Sequence, residues 1–192
     1  MKKVLVIDNY DSFTYNLVHI LRELGMTDSM EVHRNDKISV DYAGGFENIL
    51  LSPGPGLPKD AGIMPEVIKQ YASSKNILGV CLGHQGISEN FGGKLFNLTQ
   101  VFHGVATKAI LTENRDQLFA GIPDEFMVCR YHSWAVEPEG IPSELAVTAL
   151  DEEGNVMAVK HKDYNVRGVQ FHPESIMTEH GIQMIKNWLS IN

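Results

Sequence analysis

A cysteine framed by glycines, Gly79-Val80-Cys81-Leu82-Gly83, follows the apolar run at residues 77–80 and precedes a helix-like segment beginning near His84. Small residues two positions either side of Cys81 permit a turn too tight for larger side chains. The thiol would then project from a sheet edge, as in a strand-turn-helix nucleophile elbow with Cys in place of Ser. A helix starting just after the sulfur aims positive dipole at it and favours the thiolate. A lone cysteine is otherwise an ordinary core residue, and the Gly-x-Cys-x-Gly frame by itself leaves both readings open.

An activated thiol needs a base, and the base needs a group to fix its tautomer. Phe171-His172-Pro173-Glu174, at the end of another apolar run, supplies both types two residues apart. The same four residues would also suit a solvated surface turn. A zinc site would need a fourth ligand, for which His84 is the one candidate, and the usual paired-cysteine spacing is missing, so no metal is expected. Ser52-Pro53-Gly54-Pro55-Gly56 follows a third apolar run. It has no Lys or Ser/Thr after its glycines and is a poor phosphate loop. A backbone amide from it, with that of Leu82, could form an oxyanion hole; it could equally be a stiff strand-to-helix turn. All three segments fall where ligands bind in open α/β sheets, beyond the carboxyl ends of strands.

The elements that must position them alternate in the first half. Residues 4–7, 31–34, 48–51 and 77–80 read as strands, the first wholly apolar as if buried on both faces. Ser12 is the expected cap of a helix to about Leu24, with Phe13, Leu17, Val18, Leu21 and Leu24 on one face and Gly25 as the stop. Residues 65–72 form a further helix. This alternation implies a parallel sheet. Closely spaced strands at 106–111, 126–131, 145–149, 156–161 and 166–171 follow, with a turn at 152–155 and a last helix at 179–189. The predicted fold is α/β: one open, twisted, mixed but largely parallel sheet with helices on both faces, as a single domain over residues 1–192.

A chain of 192 residues can bury ~70% of the surface its unfolded form exposes. Its net charge of −8, with both signs interspersed, argues against general binding to nucleic acid or anionic membranes. The apolar run after Lys2 and Lys3 ends at Asp8, too short for a secretory signal, and no stretch approaches a membrane span. Cys81 and Cys129 are the only cysteines, so a disulfide framework is not expected and a cytoplasmic setting is.

GVCLGHQ at 79–85, the SPGPG loop at 52–56 and GVQFHPES at 168–175 together resemble the class I, triad-type glutamine amidotransferases. IDNYDSFTYNL at 7–17, RYHSWAVE at 130–137 and MTEHG at 177–181 narrow the resemblance to the small subunits of anthranilate synthase and 4-amino-4-deoxychorismate synthase. The resemblance implies a flavodoxin-like fold, with Cys81 as nucleophile, His172 as base and Glu174 as its orienting partner. It implies oxyanion donors at the Gly54 and Leu82 amides, and L-glutamine held by Gly54, Pro55, Gly56, the Gln85 side chain and the backbone at Ser133 and Trp134. Ammonia would pass to a chorismate-using large subunit, with anthranilate the expected product and 4-amino-4-deoxychorismate the alternative. This chain would need no cofactor; the partner would need Mg2+. Departures from the family pattern are Val105 after His103-Gly104, and Gly86 and Glu89-Asn90 in the helix after Cys81. Cys129 reads as core, and His103 and His132 as structural or rim residues. Rival readings are a free-standing γ-glutamyl or other cysteine hydrolase, and a non-catalytic binding module.

Overall fold

The computed structural model describes residues 2–99 and 101–191; Met1 and Asn192, the ends of the expected domain, and Gln100 lie outside them. Nine strands form one mixed sheet. The parallel half comprises β1 (Val4–Asp8), β2 (Met30–Arg34), β3 (Asn48–Leu51), β4 (Asn76–Val80) and β11 (Val166–Val169). The antiparallel half adds β6 (Val105–Leu111), β7 (Glu125–Arg130), β9 (Leu145–Asp151) and β10 (Val156–His161). Their order across the sheet is β2-β1-β3-β4-β11-β10-β9-β6-β7. Strands β1, β3, β4 and β11 are buried along their whole length, which suits their mainly apolar sequences; Asp8, Asn48, Asn76 and Arg167 are the buried polar exceptions. The more polar β2 takes the edge, where charge discourages further pairing.

Period-two alternation divides β1 between two cores. Val4 and Val6 join one cluster with α1 (Thr14–Glu23) and α5 (Gly181–Ser190), through Leu17, Val18, Leu21, Met184, Ile185 and Trp188. Leu5 and Ile7 join the other, with α3 (Met64–Tyr71) and α4 (Leu82–Asn90), through Met64, Val67, Ile68, Leu82 and Ile87. The sheet is therefore covered on both faces, as predicted.

Three local readings change. Ser12 does not cap α1; Phe13 holds that position without a side-chain bond, while Asp11 accepts the Phe13 amide at 2.7 Å and turns the chain into the helix. Phe13, assigned to the core face, is half-buried and packs instead on Tyr131 and His172. The expected strand at 166–171 ends at Val169, although the Gln170 amide still donates to the Met157 carbonyl of β10. Three short elements lack a sequence signal. These are the helix α2 (Val40–Ala43), capped by Ser39, and a ribbon of β5 (Leu95–Asn97) with β8 (Trp134–Val136).

Candidate active site

Cys81 links β4 to α4 with φ 52° and ψ −100°, a left-handed backbone that costs a side-chain-bearing residue free energy. Close packing holds it there. A Cβ on Gly79 would overlap the Gly83 backbone, and one on Gly83 would lie 2.6 Å from the Leu51 carbonyl oxygen. The Cys81 amide donates to the Val169 carbonyl at 2.8 Å, locking the elbow to β11. Leu82, Gly83 and His84 begin α4, so their N–H groups have no acceptor within the helix and their dipoles point toward the sulfur.

The register pairing Val169 with Val80 brings the segment after β11 beside Cys81. His172 Nδ1 donates to Glu174 Oε1 at 2.7 Å, and both side chains are buried. Burial works against an imidazolium here, but the neighbouring Cys81 and Glu174 outweigh it, raising the His172 pKa to about 10, while Nε2 has no hydrogen-bond partner among the described residues. The loop is pinned from outside. The His172 amide donates to the Cys129 carbonyl at 3.0 Å, and Thr178 Oγ1 donates to the His172 carbonyl at 2.6 Å while accepting the Cys129 amide. Tyr131 and Phe13 pack edge-on against the imidazole, with ring centroids 5.1 and 5.7 Å away.

Asn9 fastens the 52–56 loop: its amide donates to Ser52 Oγ and its side chain to the Ser52 carbonyl, each at 2.8 Å. A Cβ on Gly54 would fall within 2.7 Å of both Asn9 and the Leu82 side chain, so the loop backbone lies directly against the start of α4. A cavity of about 180 Å³ is lined by Cys81, Gly54, Pro55, Gly56, Gln85, Ser133 and Trp134, with Tyr131 and His132. Every residue expected to hold a ligand thus faces one space. The Trp134 carbonyl, however, already accepts Gln85 Nε2 and His132 Nδ1, each at 2.8 Å, so its lone pairs are engaged within the protein. A second cavity of about 330 Å³ lies against Cys81, lined by Tyr10, Phe13, His103, Tyr131 and His172. A larger groove of about 460 Å³ reaches Glu174 but not the sulfur.

Sequence reading missed Phe13, Tyr131 and Gln170 as site residues. All three belong to quoted motifs, but only the fold reveals what they touch. His132 lines the ligand cavity and is buried, so of its two expected placements the structural one applies. His103 lies at the second cavity, and Cys129 is core. Among the described residues, no group of three or more His, Cys, Asp and Glu could hold a metal ion.

The chain matches the family described as glutamine amidotransferase class-I over residues 5–191. It is 44% identical to aminodeoxychorismate/anthranilate synthase component 2 of Bacillus subtilis, covering 97% of this chain and 95% of that one. Identity to anthranilate synthase component 2 of Pyropia yezoensis is 43%, covering 97% and 98%. The chain also spans 32% of the longer bifunctional protein TrpGD of Thermotoga maritima, at 42% identity over all of its own length. Among solved structures, a putative GMP synthase subunit from Thermoplasma acidophilum superposes with a TM-score of 0.88 at 26% identity, covering 99% of this chain and 93% of that one. Motifs, elbow geometry and whole-chain similarity agree: this chain belongs to the class I glutamine amidotransferases.

Proposed function

We propose that the chain, as one domain, hydrolyses L-glutamine with Cys81, His172 and Glu174 and delivers ammonia to a chorismate-using subunit that makes anthranilate. The observation that carries this reading is a cysteine on a strained elbow, facing a cavity lined by every expected ligand-holding residue, beside a buried His172–Glu174 pair. The Cys81 thiolate attacks the side-chain amide carbon of glutamine, and the oxyanion faces the amides of Gly54 and Leu82. As the carbon–nitrogen bond breaks, His172 gives its proton to the departing nitrogen and ammonia leaves a γ-glutamyl thioester. Water then attacks the thioester, His172 takes its proton, and the carbon–sulfur bond breaks to return thiolate and glutamate. None of these steps calls for a cofactor in this chain; the Mg2+ belongs to the partner's reaction.

The second cavity against Cys81, with exposed Tyr10 on its lining, supports docking of a partner over the sulfur, as does fully exposed Ile176 on the neighbouring groove. Both cysteines are free, which suits a cytoplasmic setting, and among the described residues no helix is long and apolar enough to cross a membrane. Relatives named for aminodeoxychorismate synthase keep that product as the second reading.

The test measures glutamate release by the chain alone and with a saturating chorismate-using subunit, and identifies the aromatic product. Cys81→Ala should remove synthesis from glutamine and leave synthesis from ammonium salts nearly intact. Glutaminase activity surviving in Cys81→Ala would exclude the thiol as nucleophile. Full activity without a partner would favour a free-standing hydrolase.

A further inference from the structure

We propose that Gln170 is a further catalytic residue, whose side-chain amide donates a hydrogen bond to the Cys81 sulfur and is held in that orientation by a buried relay through Gln85 and the Trp134 carbonyl. The proposal rests on Cys81 being the nucleophile.

Gln170 is fully buried, one residue beyond β11, and its backbone amide donates to the Met157 carbonyl at 2.8 Å. Its Nε2 lies 3.6 Å from Cys81 Sγ, and its Oε1 lies 3.2 Å from Gln85 Nε2. The two ends of a carboxamide have nearly the same shape, so partners must decide which end meets the sulfur. Here they do. The Trp134 carbonyl can only accept, so Gln85 must turn its NH2 toward it. The same NH2 reaches Gln170, which must answer with oxygen, and the Gln170 NH2 is left facing the thiol. The other side of the relay is equally directed. Arg130 Nε can only donate and lies 3.0 Å from His132 Nε2, so that nitrogen is the acceptor and Nδ1 carries the proton donated to Trp134. A buried ion pair with Asp151 at 2.6 Å fixes Arg130.

A donor aimed at sulfur favours thiolate over thiol. It therefore assists attack on the amide carbon, and assists again when the thioester breaks and the sulfur regains its charge. Both Gln85 N–H groups are engaged internally, so Gln85 offers the ligand cavity its oxygen, an acceptor for the amine or amide hydrogens of glutamine.

The test is the pH profile of Cys81 alkylation by iodoacetamide, with the label located by mass spectrometry, in the wild-type chain and in Gln170→Met and Gln170→Glu. Methionine keeps the length and apolar bulk of the side chain but cannot donate. Glutamate keeps the acceptor for Gln85 and sets an anion against the sulfur. Both profiles should move to higher pH, that of Gln170→Glu further. Alkylation and thioester formation near pH 6 should fall roughly 10- to 100-fold, the range for a hydrogen bond to a charged group. Should Gln170→Met fail to fold, the near-isosteric Gln170→Glu carries the test. A packing role would lower the melting temperature and leave the profile in place, and an unmoved profile in a folded variant overturns the proposal. The underlying reading is tested separately with wild-type protein. If a chloroketone analogue of glutamine fails to label Cys81, or labels it equally with and without excess glutamine, the nucleophile assignment itself falls.

Discussion

At the scale of single residues, His172 and Glu174 contribute unequally. In the proposed mechanism the imidazole moves protons, whereas Glu174 accepts from Nδ1 at 2.7 Å and sets the ring's direction. Tyr131 and Phe13 also restrain the ring. Loss of the carboxylate thus leaves the base present, though less well held. His172→Ala should slow thioester formation by about 10²–10⁴-fold, near the Cys81→Ala defect because the two act as one unit. Glu174→Gln should cost less. Rapid-quench measurement of γ-glutamyl thioester settles both, and a wild-type rate in His172→Ala would remove it from the mechanism.

Between elements, backbone contacts too close for a side chain hold the site. Gly86 departs from the family pattern, and a Cβ there would lie 2.8 Å from Met64 Cε, so the missing methyl group lets α4 settle onto α3. Gly181 begins α5, and a Cβ on it would overlap the carbonyl oxygen of Pro173, which stands between His172 and Glu174. Backbone oxygen cannot swing aside as Met64 can. Gly181→Ala should therefore push the triad loop away from α5. We expect a stability loss of about 1–3 kcal/mol, typical of overpacking. Thioester formation should fall roughly tenfold or more, since displacements of an ångström are costly in active sites. Gly25→Ala is the control. Its φ of 83° makes alanine strained, but a Cβ there meets nothing within 4 Å, and it lies between α1 and the start of β2, at the sheet edge opposite the site. It should lower the melting temperature while sparing the rate in folded protein.

For the molecule as a whole, two buried histidines set the acid limit. Burial pushes His84 down to about 3, and burial followed by the charge of Arg130 does the same to His132. Both stay neutral in the folded chain, while the unfolded chain protonates them below about 6.5. Depressed folded values mean that the stability they contribute is present above pH 6.5 and is lost as pH falls toward 3. Well below pH 6.5 two extra protons on the unfolded state give a limiting slope of about 3 kcal/mol per pH unit, and near pH 6.5 half-titration and the protonated His172 of the folded state make it smaller. Urea titrations between pH 6 and 5 should show this fall. A slope below one proton would mean that the folded protein protonates these rings without penalty.

Local pattern determined much of this. Apolar runs marked the buried strands because a strand covered on both faces has no polar side to display. Glycines around Cys81 marked the elbow because no other residue fits there, and His172-Pro173-Glu174 placed the proposed base beside its partner through adjacency alone. Register decided what adjacency could not. Gln170 is 89 positions from Cys81, and pairing of β11 with β4 makes them neighbours. The start of α1 moved from Ser12 to Phe13, where the Asp11 carboxylate accepts the Phe13 amide and turns the chain. Strands β5 and β8, at three residues each, are too short to show a period. Yet their ribbon positions the Trp134 carbonyl that orients Gln85 and Gln170. Residue types and spacings disclose which groups can react. Which way an amide points depends on acceptors that come from distant parts of the chain and meet only when the sheet closes.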